Sequence, residues 1–313
     1  MADWTRRSLF AATGVAAVSG PALAGAPETI PLWPKGPPGG EGVGVVETVV
    51  ERSPPPAALR DRYVQYVREP TLTVFRPARP NGASLLITPG GGYKWVVMDK
   101  EGYECAGRFA AAGVTVYVAS YRLPGDGWAA GPATPLQDAQ RALRLVRSLA
   151  PDSGRVGVMG FSAGGHVAGS LSLMWDRPAY DPVDADDALS ARPDLAMLIY
   201  PVATVRADFA HAGSRRQLLG ESPTDALERA WSLEDNARPD APPTFLLHAE
   251  DDAAVPVQNA LRLRAALRAA GVPVETHLFE EGGHGFGLRY AVGKPVAAWP
   301  DLVLAWWKRK GFI

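Results

Sequence analysis

Runs of apolar and β-branched residues alternate with amphipathic stretches along most of this chain. Short runs at 71–75, 85–88, 114–119, 195–200, 244–248 and 274–279 predict strands, as does the run from Val156 into Gly160. Val114-Thr115-Val116-Tyr117-Val118-Ala119 has no polar alternation, which suits a strand covered on both faces. Between 136 and 149 apolar residues recur at 139, 142, 143, 145, 146 and 149, with Arg141, Arg144 and Arg147 on the other face. That spacing predicts an amphipathic helix. Further helices are predicted near 101–112, 164–174, 257–270 and 300–309. Strand and helix in alternation predict an α/β fold with a doubly wound, mainly parallel sheet.

Breaks in the pattern divide the chain. Residues 25–60 are rich in Pro and Gly and predict an arm laid over the surface of a catalytic unit at 61–313. Two irregular inserts interrupt that unit near 176–193 and 202–242, the second with short helical pieces at 215–220 and 224–231. Neither is long enough for a large apolar lid, so a minimal cap and an open site are expected. Ahead of the arm, Arg6-Arg7 precedes the apolar stretch Ala11 to Val18 and the small-residue site Ala22-Leu23-Ala24. Residues 1–24 therefore predict a twin-arginine signal peptide cleaved after Ala24, with export machinery as partner and a periplasmic or secreted product. The apolar stretch is too short for a lasting membrane anchor.

Composition narrows the partners. Hydrophobic residues make up 47% of the 313, and the formal charge is −1 without a basic stripe, which argues against nucleic acid. Cys105 is the single cysteine, so no intrachain disulfide can form, and no Cys/His spacing suits zinc. No metal or cofactor is expected.

The chemistry is concentrated at strand ends. Gly160-Phe161-Ser162-Ala163-Gly164 is a Gly-x-Ser-x-Gly turn between strand and helix, where a serine sits at positive φ and its hydroxyl is lifted clear. Downstream, the strand at 244–248 breaks into Glu250-Asp251-Asp252, and the strand at 274–279 into the glycine-rich loop around His284. A serine hydroxyl needs a neutral imidazole to take its proton as it attacks an acyl carbon, and a carboxylate to orient that ring. Ser162 and His284 fit the first two roles, and any of the three acids could fill the third. An oxyanion needs donors already in place. Pro89-Gly90-Gly91-Gly92 follows the strand at 85–88, and Gly91 and Gly92, with the N–H of Ala163, are the expected donors. No Lys-Ser/Thr follows at phosphate-loop spacing. Tyr93 and Trp95, just after the glycines, are candidates to stack on a sugar. His166, one helical turn past Ser162, and Phe286 are candidates to line the pocket.

With these residues in view, the chain resembles the α/β-hydrolase superfamily, and within it the bacterial acetylesterase and acetylxylan-esterase-like branch related to hormone-sensitive lipase. The likeness runs over about 28–313 and includes Ile30-Pro31-Leu32-Trp33-Pro34, Glu101-Gly102, Ser120-Tyr121-Arg122-Leu123, Pro135 to Ala142 and Ile199-Tyr200-Pro201. Its Asp-x-x-Val-Pro pattern falls on Asp252-Ala253-Ala254-Val255-Pro256, which makes Asp252 the third catalytic residue and Asp251 the runner-up. Lipase-like relatives carry His before the triple glycine, where this chain has Pro89, so its loop must be braced differently. The resemblance implies an exported serine carboxylesterase acting on acetyl esters of plant polysaccharides or oligosaccharides such as acetylxylan. Feruloyl esterase or general short-chain carboxylesterase is the alternative, and a non-catalytic binding protein a remote one.

Overall fold

The computed structural model describes residues 28–55, 59–150 and 154–313. The twin-arginine stretch and the cleavage site expected after Ala24 lie outside the described residues. Eight strands form one sheet in the order β1-β4-β7-β5-β8-β9-β10-β11. They are β1 (Glu28–Pro31), β4 (Thr71–Phe75), β7 (Thr115–Ala119), β5 (Ser84–Thr88), β8 (Val156–Phe161), β9 (Leu195–Ile199), β10 (Thr244–Ala249) and β11 (Val274–Phe279). Pairing is antiparallel between β1 and β4 and between β4 and β7, and parallel from β7 to β11. The fold is the mainly parallel α/β architecture that the alternating pattern predicts.

Every strand read from an apolar run is present within about a residue of its expected ends. What the pattern did not disclose are four short strands. The segment expected as a surface arm supplies β1 to the sheet edge and β2 (Thr48–Glu51) to a second, three-stranded sheet with β3 (Arg62–Gln65) and β6 (Val96–Val97). β1 and β2 are largely exposed, so no hydrophobic period betrays them. The helix expected at 101–112 begins instead as a wide π-type turn, Met98–Tyr103, before α1 (Glu104–Ala110). Such turns recur where a side chain must be re-aimed. This one carries Lys100 and Glu101.

The helix α2 (Thr134–Leu149) is the amphipathic helix that the spacing predicts. On its arginine face Arg144 and Arg147 stay partly exposed, whereas Arg141 is fully buried, donates to the Leu32 carbonyl at 2.9 Å and pairs with Asp184 and Asp187 of the first insert. The covering segments satisfy the polar face that period alone assigns to water. On another part of the core, beyond α6 (Gln258–Ala269) in the chain, α7 (Trp299–Arg309) packs Trp299 and Trp307 against Phe109 of α1 at ring distances of 5.9 and 5.0 Å.

Candidate active site

β8 leads directly into α3 (Ser162–Leu173), and the junction is as tight as the glycines imply. A Cβ on Gly160 would sit 2.2 Å from the Gly164 carbonyl, and one on Gly164 would sit 2.1 Å from that of Thr88. No side chain fits at either position. Between them Ser162 takes φ +53°, and its hydroxyl points at the cleft above the strand ends.

Two loops bring partners to it. Ser162 Oγ lies 2.8 Å from His284 Nε2, and His284 Nδ1 lies 2.7 Å from Asp252 Oδ2. The other oxygen of Asp252 accepts the N–H groups of Ala254 and Val255 at 2.9 and 2.8 Å. His248, at the end of β10, is buried with Nε2 at 3.2 Å from Asp252 Oδ2 and 2.9 Å from the Val255 carbonyl. Burial alone would raise the Asp252 carboxyl. The hydrogen bonds from His248 and His284, the charge of His284 and the Val255 N–H outweigh it and hold the group well below the carboxylate range. Asp251 does something else: its Oδ1 accepts the N–H groups of Gly282 and Gly283 at 2.9 and 2.7 Å and so pins the loop that carries His284.

The glycine loop is held from beneath. Gly91 has φ +135°, and a Cβ there would meet the Trp95 carbonyl at 2.1 Å. Among the described residues no protein acceptor takes the Gly91 or Gly92 N–H, and both glycines line the cleft with Ser162. The Ala163 N–H, in the first turn of α3, has no intrahelical acceptor either. The brace that Pro89 cannot make as a side chain is distributed. Tyr121 Oη donates to the Pro89 carbonyl at 2.6 Å, and Gly90 N–H donates to Glu101 Oε2 at 2.7 Å. Glu101 Oε1 accepts from Tyr200 Oη at 3.1 Å, which in turn accepts the Gly287 N–H at 3.2 Å. One buried carboxylate thus clasps both the glycine loop and the histidine loop. Sequence reasoning missed Glu101 and Tyr200 as site residues, although both stood in segments that carried the resemblance.

The residues expected to face substrate divide. Trp95 lines the cleft, half-buried, with its ring 4.8 Å from that of Tyr63. Tyr93, His166 and Phe286 are at most 1% exposed and lie beneath the site. Tyr93, at φ +60°, places its hydroxyl 2.7 Å from His166 Nδ1, while His166 Nε2 lies 2.7 Å from the Trp231 carbonyl. A carbonyl only accepts, so Nε2 carries the proton and Tyr93 donates to Nδ1. Burial, against that carbonyl bond, pushes the His166 imidazole down to about 4. The chain glycine loop–Tyr93–His166–Trp231 ties the loop to α5 (Asp225–Trp231) of the second insert. Phe286 packs edge-on against Tyr200 at 4.5 Å, and Tyr200 stands 5.2 Å from the His284 ring.

The cleft holds about 390 Å³. Its far wall is α4 (Ala212–Leu219) of the second insert, which contributes Gly213, Arg216 and Gln217, with His211 as its N-cap. His211 reaches the cleft because the second insert folds back over the strand ends. Among the described residues no group of three His, Cys, Asp or Glu side chains converges as metal ligands would. No helix among them is long and apolar enough to cross a membrane.

Residues 85–288 match the model of a family described by its alpha/beta hydrolase fold. A hydroxyl–imidazole–carboxylate relay at the strand ends, on an eight-stranded sheet, is the arrangement that such folds build. The chain belongs to this family. It is 37% identical over 205 residues to endo-1,4-beta-xylanase B of Butyrivibrio fibrisolvens, covering 64% of this chain and 32% of that protein. It is 31% identical over 225 residues to an acetylxylan esterase of Xylanibacter ruminicola, covering 69% and 43% respectively. The chain thus spans less than half the length of these two curated relatives. Among solved structures it is similar to an acetyl ester-xyloside bifunctional hydrolase from Caldicellulosiruptor lactoaceticus, with a TM-score of 0.71, 32% identity, and coverage of 91% of this chain and 97% of that one.

Proposed function

We propose that this chain is an exported serine esterase that removes acetyl groups from plant polysaccharides or their oligosaccharides, acetylxylan among them. The observation that carries the reading is the unbroken relay from Ser162 Oγ through His284 to Asp252, at 2.8 and 2.7 Å, opening on the same cleft as the Gly91 and Gly92 amides. Ser162 attacks the acetyl carbon while His284 Nε2 takes its proton, and Asp252 stabilises the imidazolium that forms. The N–H groups of Gly91, Gly92 and Ala163 donate to the oxyanion. His284 then passes the proton to the departing sugar oxygen. In the second half His284 draws a proton from the water that attacks the acetyl-enzyme and returns it to Ser162 Oγ as acetate leaves.

The acetyl preference is supported by the shallow cover that α4 provides and by the names of the two acetyl-ester relatives. Export is supported by the order of arginine pair, apolar stretch and Ala-x-Ala site in the first 24 residues. Purified protein is expected to release p-nitrophenol from p-nitrophenyl acetate and acetate from acetylxylan, with Ser162→Ala at least about 10³-fold slower. Equal rates for the two proteins would overturn the mechanism. Faster cleavage of octanoate than acetate would replace the acetyl reading by that of a general carboxylesterase.

A further inference from the structure

We infer that the sugar side of the ester bears a carboxylate, so that the substrate is an acetylated glycan containing uronic-acid residues. The inference deepens the esterase reading, and rests on it only for the bond that is cut. Four cations, Arg52, Lys94, Lys100 and Arg216, line the cleft around Ser162 and His284, against one acid, Glu101. The chain as a whole carries a formal charge of −1, so this is a local excess and not a general basicity. Glu101 is buried, and its oxygens are taken by the Gly90 N–H and the Tyr200 hydroxyl.

The lysines are the informative pair. Among the described residues neither has a carboxylate within ion-pair distance; each ammonium faces an aromatic ring, Lys94 over Trp95 at 5.0 Å and Lys100 over Tyr290 at 5.4 Å. Lys100 Nζ stands 3.3 Å from where a Cβ on Gly285 would lie, beside His284. Arg216 is 3.8 Å from the exposed Glu221, whereas Arg52 is paired at 2.8 Å with Asp61. Like charges gathered at one cleft repel one another and draw in anions. A lysine ammonium is a point charge on a flexible stem, suited to a carboxylate whose orientation is not fixed. Trp95 is half-buried beside the tilted ring of Tyr63 and carries the Lys94 ammonium over its own ring. A sugar carboxylate bound along this wall meets Lys94 at Trp95, with Lys100 elsewhere in the same cleft. A neutral xylose backbone makes no use of such charges.

The test separates binding from hydrolysis. Titration calorimetry on the full chain compares trigalacturonate with xylotriose, neither of which carries an ester, at low salt and at about 1 M, where the Debye length has fallen to about 3 Å. The uronide is expected to bind at least about tenfold tighter at low salt and to lose most of that advantage at high salt. Lys94→Gln and Lys100→Gln should each cut the uronide preference by about two- to fivefold, the range of an exposed ion pair. Equal affinities, or a preference indifferent to salt and to both substitutions, would overturn the inference. Acetate release from acetylated oligogalacturonides and acetylated xylo-oligosaccharides then locates any failure. Uronide binding without acetate release from either would sink the esterase reading alone; equal kcat/KM on both would sink this one alone.

Discussion

Two of the buried polar networks among the described residues behave in opposite ways. In one, Asp138 and Arg122 form an ion pair at 2.8 Å with both side chains 0% exposed. Trp33 Nε1 donates to Asp138 at 2.7 Å, Arg122 also reaches the Pro38 carbonyl and Gln137, and the rings of Trp33 and Trp128 flank the guanidinium. Its charges are fully committed to one another. In the other, Asp252 is just as buried, but the relay from it ends at a serine hydroxyl on a cleft whose Gly91 and Gly92 amides have no protein partner. Burial and charge alone do not make a site. Hydrogen-bonding capacity left unspent toward a cleft does, and the two networks can be told apart only on that ground.

Breaking each network should therefore give a different loss. The largest effect is expected from Asp252→Asn, which leaves the shape but misorients the imidazole: kcat on p-nitrophenyl acetate should fall about 10³- to 10⁴-fold. Asp251→Asn, whose oxygen needs only to accept backbone N–H groups, should fall less than about tenfold in the same assay. Asp138→Ala strikes the other network and strands a buried guanidinium, which should lower the free energy of unfolding in urea by about 3–5 kcal/mol. A loss below about 1 kcal/mol would mean that the pair is dispensable.

His166 sharpens the contrast because it is buried like the structural pair yet braces the catalytic loop. The unfolded imidazole takes up its proton below about pH 6.5, whereas the folded one stays neutral to about 4. The unfolded state thus binds more protons across that window, and stability present above about 6.5 is lost as pH falls toward 4. The loss attributable to His166 is about 3 kcal/mol over the window, read as the difference in pH slope between wild type and His166→Gln. The difference is needed because the Asp126 carboxyl, pushed up to about 6 by burial, acts in the opposite direction. A modest effect, of the order expected for Asp251→Asn, should follow from Glu101→Gln, which weakens the clasp between the two loops without touching the relay. A fall in kcat of about tenfold, near 1.4 kcal/mol, with KM changed little, is the expected outcome of steady-state kinetics.

Residues from the segments that carried the family resemblance outside the relay meet in two places. Trp33, Arg122 and Asp138 meet behind α2, while Glu101 and Tyr200 meet under the glycine loop. Their separation along the chain hides this, since nothing local links Trp33 to Asp138 across 105 positions. The same limit explains why Tyr93, His166 and Phe286, each close in sequence to a site residue, turn inward. Tyr93 and Phe286 lie in loops whose inner side is core, and His166 lies in α3, every residue of which is buried. His211 is the converse, a remote residue that the fold of the second insert delivers to the cleft.

What the sequence by itself determined is the order along the chain of the seven central strands, β4, β5 and β7 to β11, with the helices between them, and the serine turn. These depend on local period and on glycines that no other residue can replace, such as Gly160 and Gly164. The work of Asp251 in pinning the histidine loop, the small sheet, the buried face of α2 and the cationic wall of the cleft were decided only in three dimensions. Edge strands without an apolar face have no period to read. A charge, moreover, takes its meaning from the distant groups that folding sets beside it.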